Sequence, residues 1–416
     1  MTKCLLWDID NTLLDFLAAE KVAIRACAKS HEMGDFTDEM IARYSVINRK
    51  YWEKLERNEI TKPEVLVGRF KEFFESEGLD ASKAESFNDE YQIRLGDTCV
   101  FMDYGYALVK YLKEAGFKQF CVTNGTKIAQ ERKLKNSGLG ELFDGAFISD
   151  EIGVEKPMEG FFVPVEAKLN ELGITKEECV IIGDSLTSDM KGGENFGITN
   201  IWYNPRHEEN KSDVKIDFEI DNLWKILNIV CDIKVRPATV EDGERLLNIY
   251  SHYVEDTAVS FEYDVPSLEE FTGRIKNISA KYPYIVAERD GQIVGYAYAG
   301  SFKGRAAYDW SVETTIYLDK NVKRGGIGRH LYAVLECMLH NMGICNMNAC
   351  IAVPAGEDEH LTMDSVYFHE RMGFDLVGTF HKSGFKYNTW YDMCWMEKMI
   401  GEHTFCNPPI RLPEYF

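Results

Sequence analysis

Four short apolar runs, each ending in a small polar cluster, constrain the fold of the first half of the chain. They span residues 5–7, 120–122, 146–148 and 180–182, and continuous apolar segments of this length are typical of parallel strands buried on both faces. Helical patterns separate them. We therefore predict an α/β fold in which a doubly wound, Rossmann-like parallel sheet carries its ligand site at the carboxyl ends of the strands.

A long helical stretch at about residues 15–95 interrupts this alternation after the first strand. It contains Thr61-Lys-Pro-Glu64, which has the form of a capping box at the start of a helix. We interpret the stretch as a helical cap inserted into the sheet domain. Several of its side chains either contact a nucleobase or form the core of the cap: Phe16, Tyr44, Asn48, Tyr51 and Trp52.

The second half of the chain has a different pattern. The polar segment 204–213 is followed by one more strand–helix pair, and a second domain then begins at Lys234. We therefore place the domain boundary near residue 232. A hairpin signal with Asp290 and Gly291 at its turn follows, then an alternating strand and a glycine-rich loop that enters a helix. We predict domains at 1–232 and 233–402, the second of mixed α/β class, and a tail at 403–416.

Composition narrows the classes of function. A formal net charge of −21 argues against binding to nucleic acid or to an anionic membrane. No apolar run approaches the roughly 18–20 residues of a membrane helix, and the first apolar run is too short for a signal-peptide core, so we expect a cytoplasmic protein. The eleven cysteines include no C-x-x-C pair, which argues against both a disulfide framework and a zinc ribbon.

Carboxylates follow two of the predicted strands. Asp8 and Asp10 come after the first, and Asp184 and Asp189 come after the fourth. Carboxylates gathered in one region repel each other unless a cation lies between them, and Mg²⁺ prefers such oxygen ligands. We therefore expect a magnesium site at this edge of the sheet.

Groups that can contact a phosphoryl oxygen follow the two remaining strands. Thr123 offers a hydroxyl, Lys156 offers a positive charge, and Asn124 stands beside Thr123 in the segment VTNG. Carboxylates, a hydroxyl and a lysine after successive strands of one parallel sheet indicate a phosphoryl-transfer site.

The ordered segments DIDNT, VTNG, EKP and GDSLTSD resemble the haloacid dehalogenase superfamily of phosphohydrolases over residues 1–230, and their details are similar to its pyrimidine 5'-nucleotidase branch. The resemblance implies that Asp8 is a nucleophile that forms an aspartyl-phosphate and that Asp10 is a general acid and then a base. It also implies that Thr123, Asn124 and Lys156 contact the phosphoryl group. The implied magnesium ligands are Asp8, Asp10, Asp184 and Asp189.

The glycine-rich loop at residues 322–329 lies between the alternating strand and an apolar helix. Its backbone amides and the N-terminus of the helix can hold a pyrophosphate. The strand before it places Val312 and Thr314 on one face and Glu313 on the other. A carboxylate therefore points away from the packed face, close to the loop.

Residues 234–400 resemble the phosphinothricin N-acetyltransferase group of the GNAT acetyltransferases, in segments such as RPATVED, YDWSVETTIYL and SVYFHERMGF. The resemblance implies acetyl-CoA as co-substrate and Glu313 as the general base that deprotonates the acceptor amine. Relatives of this group usually pair, so we consider a homodimer. The implied pyrophosphate loop consists of Lys323, Arg324, Gly325, Gly326, Ile327, Gly328 and Arg329.

For three further residues, a functional and a structural interpretation both remain open. His369 falls where many relatives carry a tyrosine near the departing thiolate, so it either delivers a proton to coenzyme A or packs on its helix. Arg305 and Tyr308 either hold a substrate carboxylate or are ordinary surface residues. The acidic segment 354–365 departs from the group, with Thr362 at the position of its usual asparagine.

Together these patterns predict a bifunctional enzyme that acts on small molecules. One activity is an Mg²⁺-dependent phosphatase of pyrimidine nucleoside monophosphates, and the other is N-acetylation of a small amino acid or analogue such as phosphinothricin or methionine sulfone. One alternative is an acetyltransferase regulated by a nucleotide-sensing, weakly active phosphatase-fold module. Another is a pair of detoxifying activities that share no substrate.

Overall fold

A computed structural model describes residues 2–57, 59–322, 325–356, 358–404 and 410–415. The chain folds into two compact units, Met1–Ile226 and Leu227–Phe416, and the boundary predicted near residue 232 lies shortly after their junction. Within the described ranges, no helix is both long and apolar enough to cross a membrane.

The first unit is built on a parallel sheet. Its strands are β1 (Cys4–Trp7), β2 (Lys118–Thr123), β3 (Gly145–Ile148), β4 (Cys179–Gly183), β5 (Thr199–Tyr203) and β6 (Phe218–Ile220). Over the described residues they form one six-stranded sheet in the order β3-β2-β1-β4-β5-β6, with every neighbouring pair parallel. Each of the four apolar runs is a strand, so the predicted doubly wound sheet is confirmed.

Four helices between β1 and β2 form the inserted cap, as far as the structure describes it: α1 (Phe16–Ser30), α2 (Asp38–Glu56), α3 (Lys62–Ser76) and α4 (Ala84–Asp97). The predicted capping box opens α3, because the Glu64 carboxylate accepts a hydrogen bond from the backbone N–H of Thr61 at 2.7 Å. Tyr44 and Asn48 are buried inside the cap, where Tyr44 stacks on Phe70. These two side chains belong to the cap core.

The remaining helices of the first unit flank the sheet: α5 (Gly105–Glu114), α6 (Lys127–Asn136), α7 (Leu139–Leu142), α8 (Ser149–Ile152), α9 (Glu159–Glu171) and α10 (Lys191–Phe196). Strand β1 lies between β2 and β4, so the chain order reverses on either side of it. In open α/β sheets, ligands bind outside the carboxyl ends of the strands at such a switch point. This topology places the residues that follow β1, β2 and β4 at one site.

The second unit begins with α11 (Leu227–Val230) and contains a mixed sheet. Its further elements are β7 (Lys234–Pro237), α12 (Gly243–Glu255), α13 (Leu268–Ser279), β8 (Tyr284–Arg289), β9 (Gln292–Ser301), β10 (Ser311–Leu318), α14 (Ile327–Asn341), β11 (Asn346–Val353), α15 (Asp364–Arg371), β12 (Asp375–Lys386) and β13 (Thr389–Met399). Among the described residues the strand order is β12-β13-β11-β10-β9-β8-β7, and β10 with β11 is the parallel pair.

Local sequence accounts for two features of this unit. Asp290 and Gly291 both have positive φ and join β8 to β9 in the predicted two-residue turn. The described part of the predicted tail packs against the unit, since the Arg411 N–H donates to the carbonyl of Met342 at 3.0 Å. Tyr415 adds a second contact, accepting from the N–H of Tyr284 at 3.4 Å.

Candidate functional sites

Carboxylates converge at the ends of β1 and β4. Within the described residues, Asp8, Asp184 and Asp189 form the group whose ligand atoms all lie within 4.8 Å of one another. Gly183 is required for this approach, because a Cβ at that position would lie 2.2 Å from Asp189 Oδ2. The backbone N–H of Ser185 donates to the same oxygen at 3.2 Å and fixes it.

Lys156 joins two of these carboxylates. Its buried ammonium donates to Asp8 Oδ1 at 2.9 Å, to Asp189 Oδ1 at 2.5 Å and to the carbonyl of Val122 at 2.7 Å. Burial alone lowers the pKa of Lys156, but the carboxylates of Asp189 and Asp8 outweigh it and raise the pKa. Lys156 therefore stays charged and holds both carboxylates in place.

The group as a whole carries excess negative charge. Burial, with repulsion from Asp189 and Asp10, raises the pKa of Asp8 to about 7 despite the opposing charge of Lys156. Burial and the charges of Asp8 and Asp189 raise the pKa of Asp184 well above its usual range. Hard oxygen ligands with uncompensated charge are the donor set that Mg²⁺ prefers, so these residues fit the predicted cation.

Thr123 and Asn124 lie at the same edge of the sheet. The Asn124 amide donates to the carbonyl of Lys156 at 2.9 Å and to Ser188 Oγ at 3.1 Å, and its oxygen accepts from the Lys156 N–H at 2.8 Å. Asn124 thus ties the lysine segment to the segment that carries Asp189. The buried hydroxyl of Thr123 accepts from the N–H of Gly125 at 3.1 Å.

The side chain of Asp10 lies outside the carboxylate group, although it follows the same strand as Asp8. Its two oxygens are bound by Lys133 and Gln130 of α6. Three of the four carboxylates predicted as magnesium ligands therefore lie together in the described structure. The fourth, that of Asp10, is bound by side chains of α6 instead.

The cap contacts this site through Glu56, a residue that the sequence patterns did not identify. Glu56, at the end of α2, accepts a hydrogen bond from Thr187 Oγ1 at 2.6 Å. Burial is the main reason that the pKa of Glu56 is raised to about 7, and the charge of Asp189 contributes. In the sequence Glu56 looks like any polar residue of an amphipathic helix.

In the second unit, the glycine-rich loop leads into α14. Gly325 has φ 146° and Gly326 has φ 72°, conformations that favour glycine, and Gly326 caps the helix. Arg289 donates to the carbonyl of Gly325 at 3.2 Å, and a Cβ there would lie 2.9 Å from its guanidinium. The loop thus places backbone at the positive end of a helix, which suits a pyrophosphate.

The other predicted loop residues differ in placement. Ile327 and Gly328 are buried in the first turn of α14, where a Cβ on Gly328 would lie 3.1 Å from the ring of Phe368. Arg329 follows them in the same turn. Lys323 and Arg324 lie outside the described residues.

Glu313 occupies the point where β10 and β11 part. Among the described residues the pairing of these strands ends with Glu313 opposite Asn348. Burial raises the pKa of Glu313, against the lowering effect of the Lys303 charge. A half-buried carboxylate at the point where two strands part, with a pKa that burial raises, is suited to accept a proton.

Among the described residues, Lys303 is a cation whose charge acts on Glu313. Its ammonium lies 4.7 Å from the ring centre of Phe302 and 5.0 Å from that of Trp395. Arg305 and Tyr308, which the sequence singled out, are exposed on a short 3-10 turn, with the Tyr308 ring 5.9 Å from that of Phe302. In the sequence, the feature that could have identified Lys303 is its position two residues before Arg305.

His369 is buried with both ring nitrogens engaged. Nδ1 lies 2.7 Å from the carbonyl of Ser365, and Nε2 lies 2.9 Å from the hydroxyl of Tyr332. The carbonyl can only accept, so Nδ1 carries the hydrogen and Nε2 accepts from Tyr332. Burial lowers the pKa of His369. This placement favours the packed histidine, and the Tyr332 oxygen also lies 3.4 Å from Thr314 Oγ1 of β10.

Comparison with known proteins assigns the first unit to a family. The family model for haloacid dehalogenase-like hydrolases matches residues 2–197. Pyrimidine 5'-nucleotidase PynA of Streptococcus pneumoniae is 34% identical over 227 residues, which are 54% of this chain and 94% of PynA. A crystal structure of the HAD-hydrolase YfnB from Bacillus subtilis, bound to magnesium, is 32% identical with a TM-score of 0.52 and covers 55% of this chain and 99% of YfnB.

Comparison of the second unit gives a different family. The family model for the acetyltransferase (GNAT) domain matches residues 235–395. Phosphinothricin N-acetyltransferase of Streptomyces viridochromogenes is 34% identical over 161 residues, which are 39% of this chain and 84% of that protein. The two matches do not overlap.

Proposed function

Because the chain belongs to the haloacid dehalogenase-like hydrolases over its first half and to the GNAT acetyltransferases over its second, we propose that it is a bifunctional enzyme. The first site hydrolyses pyrimidine nucleoside monophosphates with Mg²⁺, and the second transfers the acetyl group of acetyl-CoA to the amine of a small amino acid or analogue. The observation that carries the first activity is the group of Asp8, Asp184 and Asp189, in which the buried Lys156 binds Asp8 and Asp189.

The proposed hydrolysis has two steps. An oxygen of Asp8 attacks phosphorus, the ester P–O bond breaks, and the leaving oxygen keeps its electron pair and takes a proton from Asp10. Asp10 then accepts a proton from water while the water oxygen attacks the aspartyl-phosphate, which releases inorganic phosphate and restores Asp8. Lys156 and Thr123 steady the phosphoryl oxygens, and Asn124 holds the segment of Lys156 in place.

Asp8, Asp184 and Asp189 are the residues that would hold Mg²⁺. When bound, the ion supplies positive charge that offsets the repulsion among these carboxylates and the substrate phosphate. We expect dialysis against EDTA to lower phosphate release from uridine 5'-monophosphate by more than about 100-fold, and added Mg²⁺ to restore it.

Two further measurements sharpen this test. Mg²⁺ should raise the unfolding temperature of the EDTA-treated protein by mass action, and Asp184→Asn should weaken that rise. Coenzyme A release by the same preparation should not change with EDTA. Full phosphatase activity in excess EDTA would refute the metal assignment.

The proposed acetyl transfer depends on Glu313. Its carboxylate accepts a proton from the ammonium group of the acceptor, and the freed nitrogen lone pair attacks the thioester carbonyl. The C–S bond then breaks, and the proton that the nitrogen loses on forming the amide balances the charge of the departing thiolate. The backbone from Gly325 to Gly328 and the N-terminus of α14 support binding of the pyrophosphate of acetyl-CoA.

The acceptor is identified by measuring coenzyme A release across amino acids, phosphinothricin, methionine sulfone and methionine sulfoximine. Lys303, beside Glu313, is a candidate partner for a carboxylate of the acceptor. Turnover that depends on Glu313 with one of these amines would name the substrate. If none of these amines supports coenzyme A release, the result would count against a small amino acid as the acceptor.

We further propose that the second unit pairs as a homodimer through β12. This strand ends the described sheet and exposes large apolar side chains, with Leu376 60%, Val377 58% and Phe380 58% exposed. Exposed apolar edge strands favour association with another chain. Sedimentation of the wild type should give a dimer and that of Val377→Glu a monomer, whereas a monomeric wild type would reject the pairing.

A further inference from the structure

Side chains of α6 hold the carboxylate of Asp10 by both oxygens. The Lys133 ammonium forms an ion pair with Oδ1, and the Gln130 amide donates to Oδ2 at 2.7 Å. Lys133 and Gln130 are each 1% exposed, while the Asp10 side chain keeps 24% of its surface open. Two buried donors therefore fix a carboxylate that faces outward.

This arrangement is separate from the phosphoryl-binding group. Lys156 forms ion pairs with Asp8 and Asp189. Among the carboxylates of the described site, Lys133 forms an ion pair with Asp10 alone. The Lys133 ammonium also lies 5.3 Å from the ring centre of Phe16, the first residue of the cap. Each aspartate of the pair after β1 thus has its own buried lysine.

Gln130 depends on the glycine that follows Asn124. A Cβ on Gly125 would lie 2.1 Å from Gln130 Nε2, so a side chain at that position would push the amide off Asp10. The NH₂ group of Gln130 faces Asp10, since it donates to Oδ2 of that side chain. Gln130 Oε1 is buried and has no hydrogen-bond partner among the described residues, so the contact with Asp10 is the hydrogen bond that the structure gives to the Gln130 amide group.

We infer that Lys133 and Gln130 are positioning residues that aim the carboxyl group of Asp10 at the leaving-group oxygen. The inference rests on the proposed phosphatase function. A free aspartate rotates about two side-chain bonds, whereas donors on both oxygens restrict it to one orientation. Proton transfer requires hydrogen-bond reach between donor and leaving oxygen, so loss of this restraint slows the step in which that oxygen is protonated.

The test compares two leaving groups. p-Nitrophenolate is a stable anion and departs with little protonation, whereas the 5'-alkoxide of uridine needs a proton. We expect Lys133→Met to lower kcat/KM for uridine 5'-monophosphate at least about 10-fold more than for p-nitrophenyl phosphate. Asp10→Asn should shift this ratio in the same direction. Lys135→Met, an exposed lysine of the same helix, should leave it unchanged.

A double variant decides whether Lys133 acts through Asp10. If it does, Lys133→Met in the Asp10→Asn background causes no further fall in the ratio. Equal loss for both substrates in Lys133→Met, or an additive fall in the double variant, would overturn the inference. Gln130→Met carries the same expectation should Lys133→Met fail to fold. A wild type that hydrolyses neither substrate would instead overturn the phosphatase function, and the inference with it.

Discussion

Asp8→Asn is expected to lower phosphate release from uridine 5'-monophosphate by about four orders of magnitude or more, because an amide oxygen cannot replace the attacking carboxylate. The substitution is nearly isosteric and removes one of the mutually repelling charges at the ends of β1 and β4. Phosphate release under saturating Mg²⁺ measures the effect. Because the lost group is the nucleophile, p-nitrophenyl phosphate should be affected as strongly as the nucleotide.

Two controls accompany this variant. Asp35→Asn removes an exposed carboxylate of the cap and should leave phosphate release unchanged. Coenzyme A release by the Asp8→Asn preparation should match the wild type, which shows that the second unit is folded, and a wild-type unfolding temperature of the first unit would show the same for the unit that carries Asp8. Retention of more than about a tenth of the phosphatase rate would exclude Asp8 as the nucleophile.

Glu313→Gln is expected to lower kcat/KM for the acceptor amine by about 100-fold or more near neutral pH, because the glutamine amide cannot accept the proton of an ammonium group. The wild-type rate should rise with pH as Glu313 loses its proton, at an apparent pKa above the usual 4.5 of a glutamate because burial raises it. The variant should instead gain rate at high pH, where the amine deprotonates in solution.

The pH profile separates catalysis from packing. Glu269→Gln, an exposed carboxylate of α13, should keep the wild-type profile. The affinity for acetyl-CoA, measured by calorimetry, should be equal in Glu313→Gln and the wild type, since the pyrophosphate loop lies after β10. A uniform fall in rate at every pH would contradict the assignment of Glu313 as the base.

Local patterns were sufficient to predict several elements of both folds. The apolar runs, the capping box at Thr61 and the turn at Asp290 and Gly291 are decided by residues within a few positions of each other, and each forms as expected. The gathering of Asp8, Asp184 and Asp189 followed from topology as well, because carboxyl ends of parallel strands meet at one edge of the sheet.

The direction in which a side chain points depends on contacts that sequence patterns do not carry. Lys133 lies 123 residues from Asp10 in the chain, and in the segment KIAQERKLKN it resembles the solvated lysines of an ordinary helix. Similarly, Lys303 supplies the charge that acts on Glu313, because β9 pairs with β10 with Gly300 opposite Glu313 and ends at Ser301, two residues before Lys303. These residues are identified by tertiary contact alone.

The most direct test of two independent active sites is a paired assay on one purified preparation. Phosphate release from uridine 5'-monophosphate and coenzyme A release with the identified amine are measured for the wild type, Asp8→Asn and Glu313→Gln. We predict both activities in the wild type, loss of only the first in Asp8→Asn, and loss of only the second in Glu313→Gln. Acetyl transfer that changes with nucleotide or with Asp8→Asn, in a protein that releases no phosphate, would contradict this account and favour a regulatory first domain.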